Sequence, residues 1–151
     1  MRVLFINRYF YPDHSATSQM LTDLATDLQR EGLDVTVITG RQLIDDARAR
    51  LPARECIDGI DVHRVWSSRF GRTKLIGRAV DYLSFYASAG WRLARLTRRG
   101  DVVVAKTDPP LISVIAALVA KWRHAHLVNW LHDLFPEIAE RLGIGLVRGQ
   151  P

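Results

Sequence analysis

Cysteine and long apolar runs are scarce in this sequence, and each scarcity excludes a class of protein. The single cysteine, Cys56, leaves no partner for an internal disulfide and no cysteine cluster for a zinc or iron–sulfur site. The longest apolar run, residues 111–120, is about half of what a membrane-spanning helix needs and predicts a buried helix. Residues 1–8 hold only four consecutive apolar residues, too few for a signal-peptide core, so we expect a cytoplasmic protein.

The two common nucleotide-binding motifs are also missing. No G-x-G-x-x-G follows a predicted strand, because Gly143 and Gly145 come after a predicted helix, and no G-x-x-x-x-G-K-[S/T] occurs. These absences disfavour a dinucleotide-dependent dehydrogenase and a P-loop enzyme.

The composition is that of one folded domain with a basic surface. The chain has 151 residues, of which 48% are hydrophobic and 25% charged, close to the averages of globular domains. Lys and Arg number 21 against 16 Asp and Glu, which gives a net charge of +5. This balance favours an anionic partner, whether a phosphate group, an acidic membrane surface or nucleic acid.

Predicted strands and helices alternate along the chain. The strands are predicted at residues 2–7, 34–39, 60–66, 101–106 and 126–131. The helices are predicted at 15–30, 75–96, 109–122 and 136–142, and residues 41–56 are predicted to be a polar segment with a little helix. Strands joined through long helices form parallel sheets by right-handed crossovers. The sequence therefore predicts a Rossmann-like, three-layer α/β/α domain with a parallel sheet.

Polar side chains cluster where the predicted strands end, which is where open parallel sheets bind ligands. They are Asn7, Arg8, Tyr9, Tyr11, Asp13, His14, Ser15, Thr17, Thr107, Asp108, His132, Asp133 and Glu137. Ser15 and Thr17 open a predicted helix, whose free N–H groups favour an anionic or hydroxyl-rich ligand. They also suit a simple N-cap, and both interpretations remain open.

Two groups of histidines were considered as functional residues: His132 beside Asp133, and the pair His124 and His126. His132 and Asp133 follow the last predicted strand, where an imidazole beside a carboxylate can exchange protons near neutral pH; a purely structural pair is the alternative. His124 and His126 have i,i+2 spacing, but no third ligand is evident nearby, so we predict no metal site.

Residues 69–99 are basic and interleaved with aromatic side chains. This stretch holds eight Lys and Arg residues and a single acid, Asp81. Such a helix can lie on an anionic membrane through Arg92, Arg95, Arg98 and Arg99. Alternatively, it is a solvated basic face whose aromatics pack on the sheet. Since no recognition motif accompanies the charge, we predict no nucleic-acid partner.

Five segments together resemble a known family. They are R-V-L-F-I-N-R-Y-F-Y-P-D-H-S-A-T-S-Q-M-L-T-D-L-A, R-E-G-L-D-V-T-V-I-T-G, D-G-I-D-V-H-R-V, D-V-V-V-A-K-T-D-P-P-L and N-W-L-H-D-L-F-P-E. Their order and content are similar to the family-4 glycosyltransferases, especially bacterial enzymes that build exopolysaccharide, capsule or O-antigen chains. The resemblance implies the N-terminal half of a GT-B fold, in which this half binds the acceptor and the other half binds the nucleotide-sugar. It also implies retaining transfer to a saccharide or polyprenyl-linked sugar without an essential metal or other cofactor.

The resemblance assigns roles to particular positions. The position of His132 faces the donor sugar, so we expect His132 and Asp133 to be catalytic. Asn7, Asp108 and the loop 11–17 match the acceptor side. The expected substrate-binding residues are Asn7, Tyr11, His14, Ser15, Thr17, Asp108 and Glu137.

Two departures from the family pattern shape the expected domain organisation. Many members carry a Gly-Gly pair where this chain has Ser15-Ala16-Thr17-Ser18. The family's E-x(7)-E donor element has no counterpart after Glu140, so we expect residues 1–143 to form the acceptor domain, 144–151 a truncated tail, and the donor domain to be supplied elsewhere. The chain alone is then expected to be inactive. The alternative is a non-catalytic module that binds a lipid-linked sugar or an anionic membrane.

Overall fold

Strands and helices alternate in the computed structural model, which describes residues 1–46, 48–70, 75–106, 108–109 and 111–131. The elements of these residues are β1 (Arg2–Ile6), α1 (Ala16–Arg30), β2 (Asp34–Gly40), β3 (Arg54–Ile57), β4 (Ile60–Val65), α2 (Leu75–Leu96), β5 (Val102–Lys106), α3 (Ile112–Arg123) and β6 (His126–Trp130). All five predicted strands and three of the four predicted helices are confirmed. The helix predicted at 136–142 lies outside the described residues.

The six strands form one sheet in the order β3-β4-β2-β1-β5-β6. All neighbouring pairs are parallel except β3 and β4, which form an antiparallel hairpin. The prediction for residues 41–56, a polar segment with a little helix, is therefore wrong at residues 54–56, which belong to β3. Asp58 and Gly59 both adopt positive φ, of 49° and 84°, and a two-residue turn of this kind closes a hairpin.

The helices cover both faces of the sheet, and β1 shows why. Val3 and Phe5 point to the face that α1 covers, where they pack with Leu21. Leu4 and Ile6 point to the face of α2 and α3, where they pack with Phe85, Leu93 and Ile112. Alternate strand residues face opposite sides, so a strand apolar at every position must be buried on both. The α/β/α layering is confirmed.

The order in which strands are added to the sheet reverses direction at β1. The chain runs outward from β1 through β2 and β4 on one side, and through β5 and β6 on the other. Right-handed crossovers in opposite directions place their helices on opposite faces, which explains the split between α1 and the pair α2 and α3. A crevice for a ligand forms at such a switch point, beyond the carboxyl ends of β1 and β5.

Candidate functional site

Main-chain hydrogen bonds fix the segment that leaves β1. The Arg8 N–H donates to the Asp108 carbonyl at 2.9 Å, and the Arg8 carbonyl accepts from the Gly40 N–H at 2.9 Å. The Thr39 hydroxyl donates to the same carbonyl at 3.1 Å. A Cβ on Gly40 would lie 2.9 Å from the Arg8 oxygen, so only glycine permits this approach. Arg8 is thereby held between the ends of β2 and β5.

A buried carboxylate orders the loop that follows. Asp13 accepts from the Ser15 N–H at 2.9 Å through Oδ1 and from the Ile44 N–H at 2.5 Å through Oδ2. Its carbonyl accepts from the Ser18 hydroxyl at 2.9 Å. Ser15 is the N-cap of α1, and its Oγ accepts from the Ser18 N–H at 3.4 Å. The capping interpretation of Ser15 is confirmed.

The other loop residues predicted to bind substrate have varied environments. Asn7 is fully buried, and its amide donates to the Tyr9 carbonyl at 2.7 Å. Tyr11 is half exposed, and His14 is exposed and pairs with Asp45 at 2.6 Å. The Thr17 Oγ1 lies 3.4 Å from the Ser15 Oγ. Their substrate contacts remain predictions.

Arg64 ties this loop to the β3–β4 hairpin. Its buried guanidinium donates to the Tyr11 carbonyl at 2.5 Å and forms an ion pair with Glu55 of β3. Burial lowers the pKa of Arg64 to about 10. The strand that sequence analysis missed therefore supplies the carboxylate that balances a buried charge.

A cavity of about 270 Å³ opens between the end of β1, the start of α2 and the loop after β5. The described residues that line it are Arg8, Tyr9, Ile44, Arg78, Asp81, Tyr82 and Asp108. Arg8, Tyr9 and Asp108 were among the predicted strand-end residues and are brought together here. Tyr11, His14, Ser15 and Thr17 are not part of this lining.

Tyr82 is the centre of the cationic side of the cavity. The Arg8 guanidinium carbon lies 4.9 Å from the Tyr82 ring centroid and 5.6 Å from that of Tyr9. The Arg78 guanidinium carbon lies 5.7 Å from the Tyr82 centroid, and its Nε donates to the Tyr82 hydroxyl at 3.3 Å. In the sequence, Arg78 and Tyr82 belong to the basic stretch and were not among the predicted site residues. The signal was topological: a helix that follows β4 starts at the edge where β4 ends.

The lining of the cavity also contains two carboxylates, those of Asp81 and Asp108. Asp81 is buried and accepts from the Ser68 hydroxyl at 2.6 Å and from the Phe70 N–H at 2.9 Å. Burial raises the pKa of the neighbouring Tyr86 to about 12, helped by Tyr82 and Asp108 and opposed by Arg8. Tyr86 is therefore a neutral phenol at physiological pH. Among the described residues, the charged side chains that line the cavity are those of Arg8, Arg78, Asp81 and Asp108.

A buried lysine lies beneath the start of α1. Lys106, at the end of β5, is 1% exposed; its Nζ donates to the Thr17 carbonyl at 2.6 Å and lies 4.2 Å from the Trp130 ring centroid. Burial lowers the pKa of Lys106 to about 8, although Asp108 acts in the opposite direction. Lys106 was not among the predicted site residues, because in the sequence it is only the last residue of an apolar strand.

The basic stretch divides between two regions. Phe85 is buried and Tyr82 and Tyr86 are partly buried on the sheet side, whereas Trp91 is 68% exposed. The four arginines predicted to meet a membrane are all exposed at the end of α2: Arg92, Arg95, Arg98 and Arg99. That end lies at the amino edge of the sheet, opposite the cavity. Within the described residues, no helix is both long and apolar enough to cross a bilayer.

The remaining predicted residues, His132, Asp133 and Glu137, lie outside the part of the chain that the structure describes. His124 and His126 are exposed at the end of α3 and the start of β6. In the described ranges, no three His, Cys, Asp or Glu side chains are grouped so as to hold a metal ion.

Comparison with known proteins agrees with the fold. Residues 15–149 match the family model of the glycosyl transferase 4-like domain. A search of curated proteins found no match to the chain. Since the family match covers most of the sequence, and the sheet has the layers and crevice of half a GT-B fold, this chain belongs to the glycosyl transferase 4-like domain family.

Proposed function

We propose that this domain binds the saccharide acceptor of a retaining glycosyltransferase in the cavity at the carboxyl ends of β1 and β5. The observation that carries this proposal is the joint presence of Tyr9, Tyr82 and Asp108 in one cavity at the switch point of the sheet. Aromatic faces can cover the apolar side of a sugar ring, and a carboxylate accepts hydrogen bonds from sugar hydroxyls. The volume of the cavity is near the lower end of the range for ligand pockets, which suits one sugar unit.

The catalytic step is proposed to use residues that follow β6. His132 would face the donor sugar, and Asp133 would orient its imidazole or bind an acceptor hydroxyl. Glu137 and the loop residues Tyr11 and His14 would contact the acceptor further out. In the two-domain arrangement of the family, a second domain binds the nucleotide-sugar, so we expect this chain alone not to transfer sugar.

Ordered backbone at the start of α1 supports the same assignment. Asp13 and the Ser15 cap hold the first turn of the helix beside the crevice. Asn7 contributes indirectly, because its buried side-chain amide donates to the carbonyl of Tyr9, which lines the cavity. Since the Ser15 and Ser18 N–H groups already donate to Asp13 and Ser15, we propose that Ser15 and Thr17 meet acceptor hydroxyls outside the cavity through their own hydroxyl groups.

The acceptor is proposed to be lipid-linked, in surface polysaccharide biosynthesis at the cytoplasmic face of the membrane. The supporting observation is the exposed arginine group at the end of α2, beside the exposed Trp91. Each basic residue near an anionic surface contributes about 1 kcal/mol, and salt screens the attraction. We expect reversible binding to anionic vesicles that weakens with salt and is lost when Arg92, Arg95, Arg98 and Arg99 become Gln. Equal binding to neutral vesicles would contradict this docking role.

The acceptor site is tested by saccharide binding. Saturation-transfer NMR of the purified chain with a panel of neutral methyl glycosides should show contact with at least one of them. Asp108→Asn should weaken that binding about tenfold, because a hydrogen bond to a charged group contributes about 1.5–3 kcal/mol. Asp23→Asn, an exposed change on α1, is the matched control. Binding that is indifferent to Asp108→Asn would overturn the assignment.

The catalytic assignment is tested in the enzyme reconstituted with a donor domain. His132→Ala should lower kcat by about 10²–10⁴-fold and leave the acceptor KM nearly unchanged, because the group acts mainly in the transition state. An unchanged kcat would make His132 a structural residue.

A further inference from the structure

An apolar groove of about 320 Å³ lies on the α1 face of the sheet. Val102 and Val104 of β5 and Val128 of β6 form its floor, and Leu24 and Leu28 of α1 form one wall. Apart from one asparagine, the described residues that line it are all valine, leucine, phenylalanine or tryptophan, and none of them lines the cavity described above. An exposed apolar surface of this kind is typical of an interaction site.

The groove exists because the two faces of β5 and β6 are covered unequally. Val103 and Leu127 point toward α3, whereas Val104 and Val128 point to the α1 face. Among the described elements, α3 packs against both strands on its side, but the main contacts of α1 with the sheet are with β2 and β4. As a result, Val128 is 47% exposed and Leu24 is 36% exposed. Strands that are apolar on both faces are normally covered on both.

The dimensions of the groove fit one helix. Neighbouring strands are about 4.8 Å apart, so β5 and β6 add about 10 Å of sheet beside α1. Packed helices lie about 8–10 Å apart, which leaves room for one helix alongside α1. β5 and β6 have 5 residues each. This is a length of about 17 Å, or about eleven residues of helix. Because α1 stands about 10 Å above the sheet, the flat face of a second sheet would not reach the floor.

The α1 wall of the groove carries acidic residues near the end of the helix. Asp27 and Glu31 follow Leu24 by three and seven positions, a spacing that places them on the same side of α1. Both are exposed, and Asp27 has a 3.6 Å ion pair with the exposed Arg30. Lys or Arg residues are therefore complementary on the side of a docked helix that meets this wall.

The order of the strands indicates that the occupant comes from another polypeptide. A helix that leads from β6 to a further strand outward would lie on the face of α2 and α3, because right-handed crossovers in one direction keep to one face. The groove is on the opposite face, so the connection that follows β6 is not expected to fill it.

We propose that this groove docks a single amphipathic helix of another polypeptide. The apolar side of the helix would lie on Val104 and Val128, and its Lys or Arg residues would face Asp27 and Glu31. This interface is separate from the cavity, and the proposal does not depend on the binding of a saccharide there.

The test is titration of the purified, isotope-labelled chain with a synthetic amphipathic peptide of Leu, Ala and Lys, about 14 residues long so that it spans the groove. NMR should show shifts at Val104, Val128 and the Trp130 indole. In calorimetry, Val128→Glu and Leu24→Glu should each weaken binding about tenfold or more, because each places a carboxylate against the apolar side of the helix. Val114→Glu is the matched control, since Val114 is 53% exposed on α3, on the other face of the sheet.

The charge of the partner is tested with a second peptide in which Glu replaces every Lys. It should bind more weakly than the Lys peptide. The double variant Asp27→Asn and Glu31→Gln should weaken binding of the Lys peptide by about threefold or more, because exposed ion pairs each contribute modestly. Asp23→Asn, an exposed change on α1, is the control.

Four results would overturn the proposal. The first is no binding of the Lys peptide, or equal losses in Val114→Glu and the groove variants. The second is equal affinity for the Lys and Glu peptides. The third is self-association of the chain that Val128→Glu abolishes, because the occupant would then be a second copy. The fourth is binding of a peptide of residues 132–151 as tight as that of the Lys peptide, because the occupant would then be a segment of this chain.

Discussion

Replacing Lys106 by methionine isolates the energetic effect of a buried ammonium group. Lys106 is 1% exposed; its ammonium donates a 2.6 Å hydrogen bond to the Thr17 carbonyl, lies 4.2 Å from the Trp130 ring centroid and is favoured by the charge of Asp108. Methionine fills a similar volume without the charge and cannot donate to Thr17. The variant therefore removes the titrating group with the least change in packing.

The magnitude follows from the pKa of Lys106, which burial lowers from 10.5 to about 8. Between these values the unfolded chain binds more protons than the folded chain, so the free energy of unfolding rises with pH in this window. A shift of this size corresponds to about 3 kcal/mol when the window is fully crossed. At pH 7 the ammonium is charged in both states, and this stabilisation is absent.

The assay is urea denaturation of wild type and Lys106→Met at intervals from pH 7 to 10. The free energy of unfolding of the wild type should rise relative to that of the variant as pH passes 8, and should reach about three-quarters of the full difference at pH 10. Lys121→Met, at an exposed position of α3, is the control and should follow wild type. Parallel profiles for wild type and Lys106→Met across this range would refute the lowered pKa.

Three further substitutions test the framework around the cavity, each by chemical denaturation. Asp13→Ala should destabilise the domain by about 2–4 kcal/mol, because the Ser15 and Ile44 N–H groups lose a charged acceptor. Asp13→Asn should destabilise it less, and equal losses of stability in the two variants would contradict a role for both oxygens. Gly40→Ala should cost about 1–3 kcal/mol, since its Cβ would meet a backbone oxygen at 2.9 Å, and a neutral result would show that the strand end is pliable. Asp101→Ala should cost about 3 kcal/mol by leaving the partly buried Arg2 without its carboxylate at 2.5 Å; a loss under 1 kcal/mol would mark the pair as a surface one.

Most strands and the three helices that pack on the sheet were predictable, because the sequence patterns that mark them are local. β1 and β5 are short apolar runs bounded by polar residues, and α1 has an apolar stripe that ends before Gly32. β3 was missed because Arg54 and Glu55 give it no apolar alternation. An edge strand does not need apolar alternation, and charged side chains are common on edge strands.

The site was predictable only where strand ends define it. Arg8, Tyr9 and Asp108 follow β1 and β5, and the carboxyl-end rule brings them together. Arg78 belongs to a helix, and its place in the cavity depends on where the crossover from β4 begins. Lys106 has no sequence signal of its own, because lysine is rarely buried and its partners are a distant carbonyl and an aromatic ring.

The backbone bonds of Arg8 make this position adaptable to selection. Its N–H and carbonyl join β5 and β2 through atoms that every residue except proline possesses. The side chain can therefore change without loosening the sheet, and the same holds for Arg78, which is exposed on α2. Randomising these two codons together should yield folded domains whose cavities differ in charge, so that the chemistry of the cavity can change at little cost in stability.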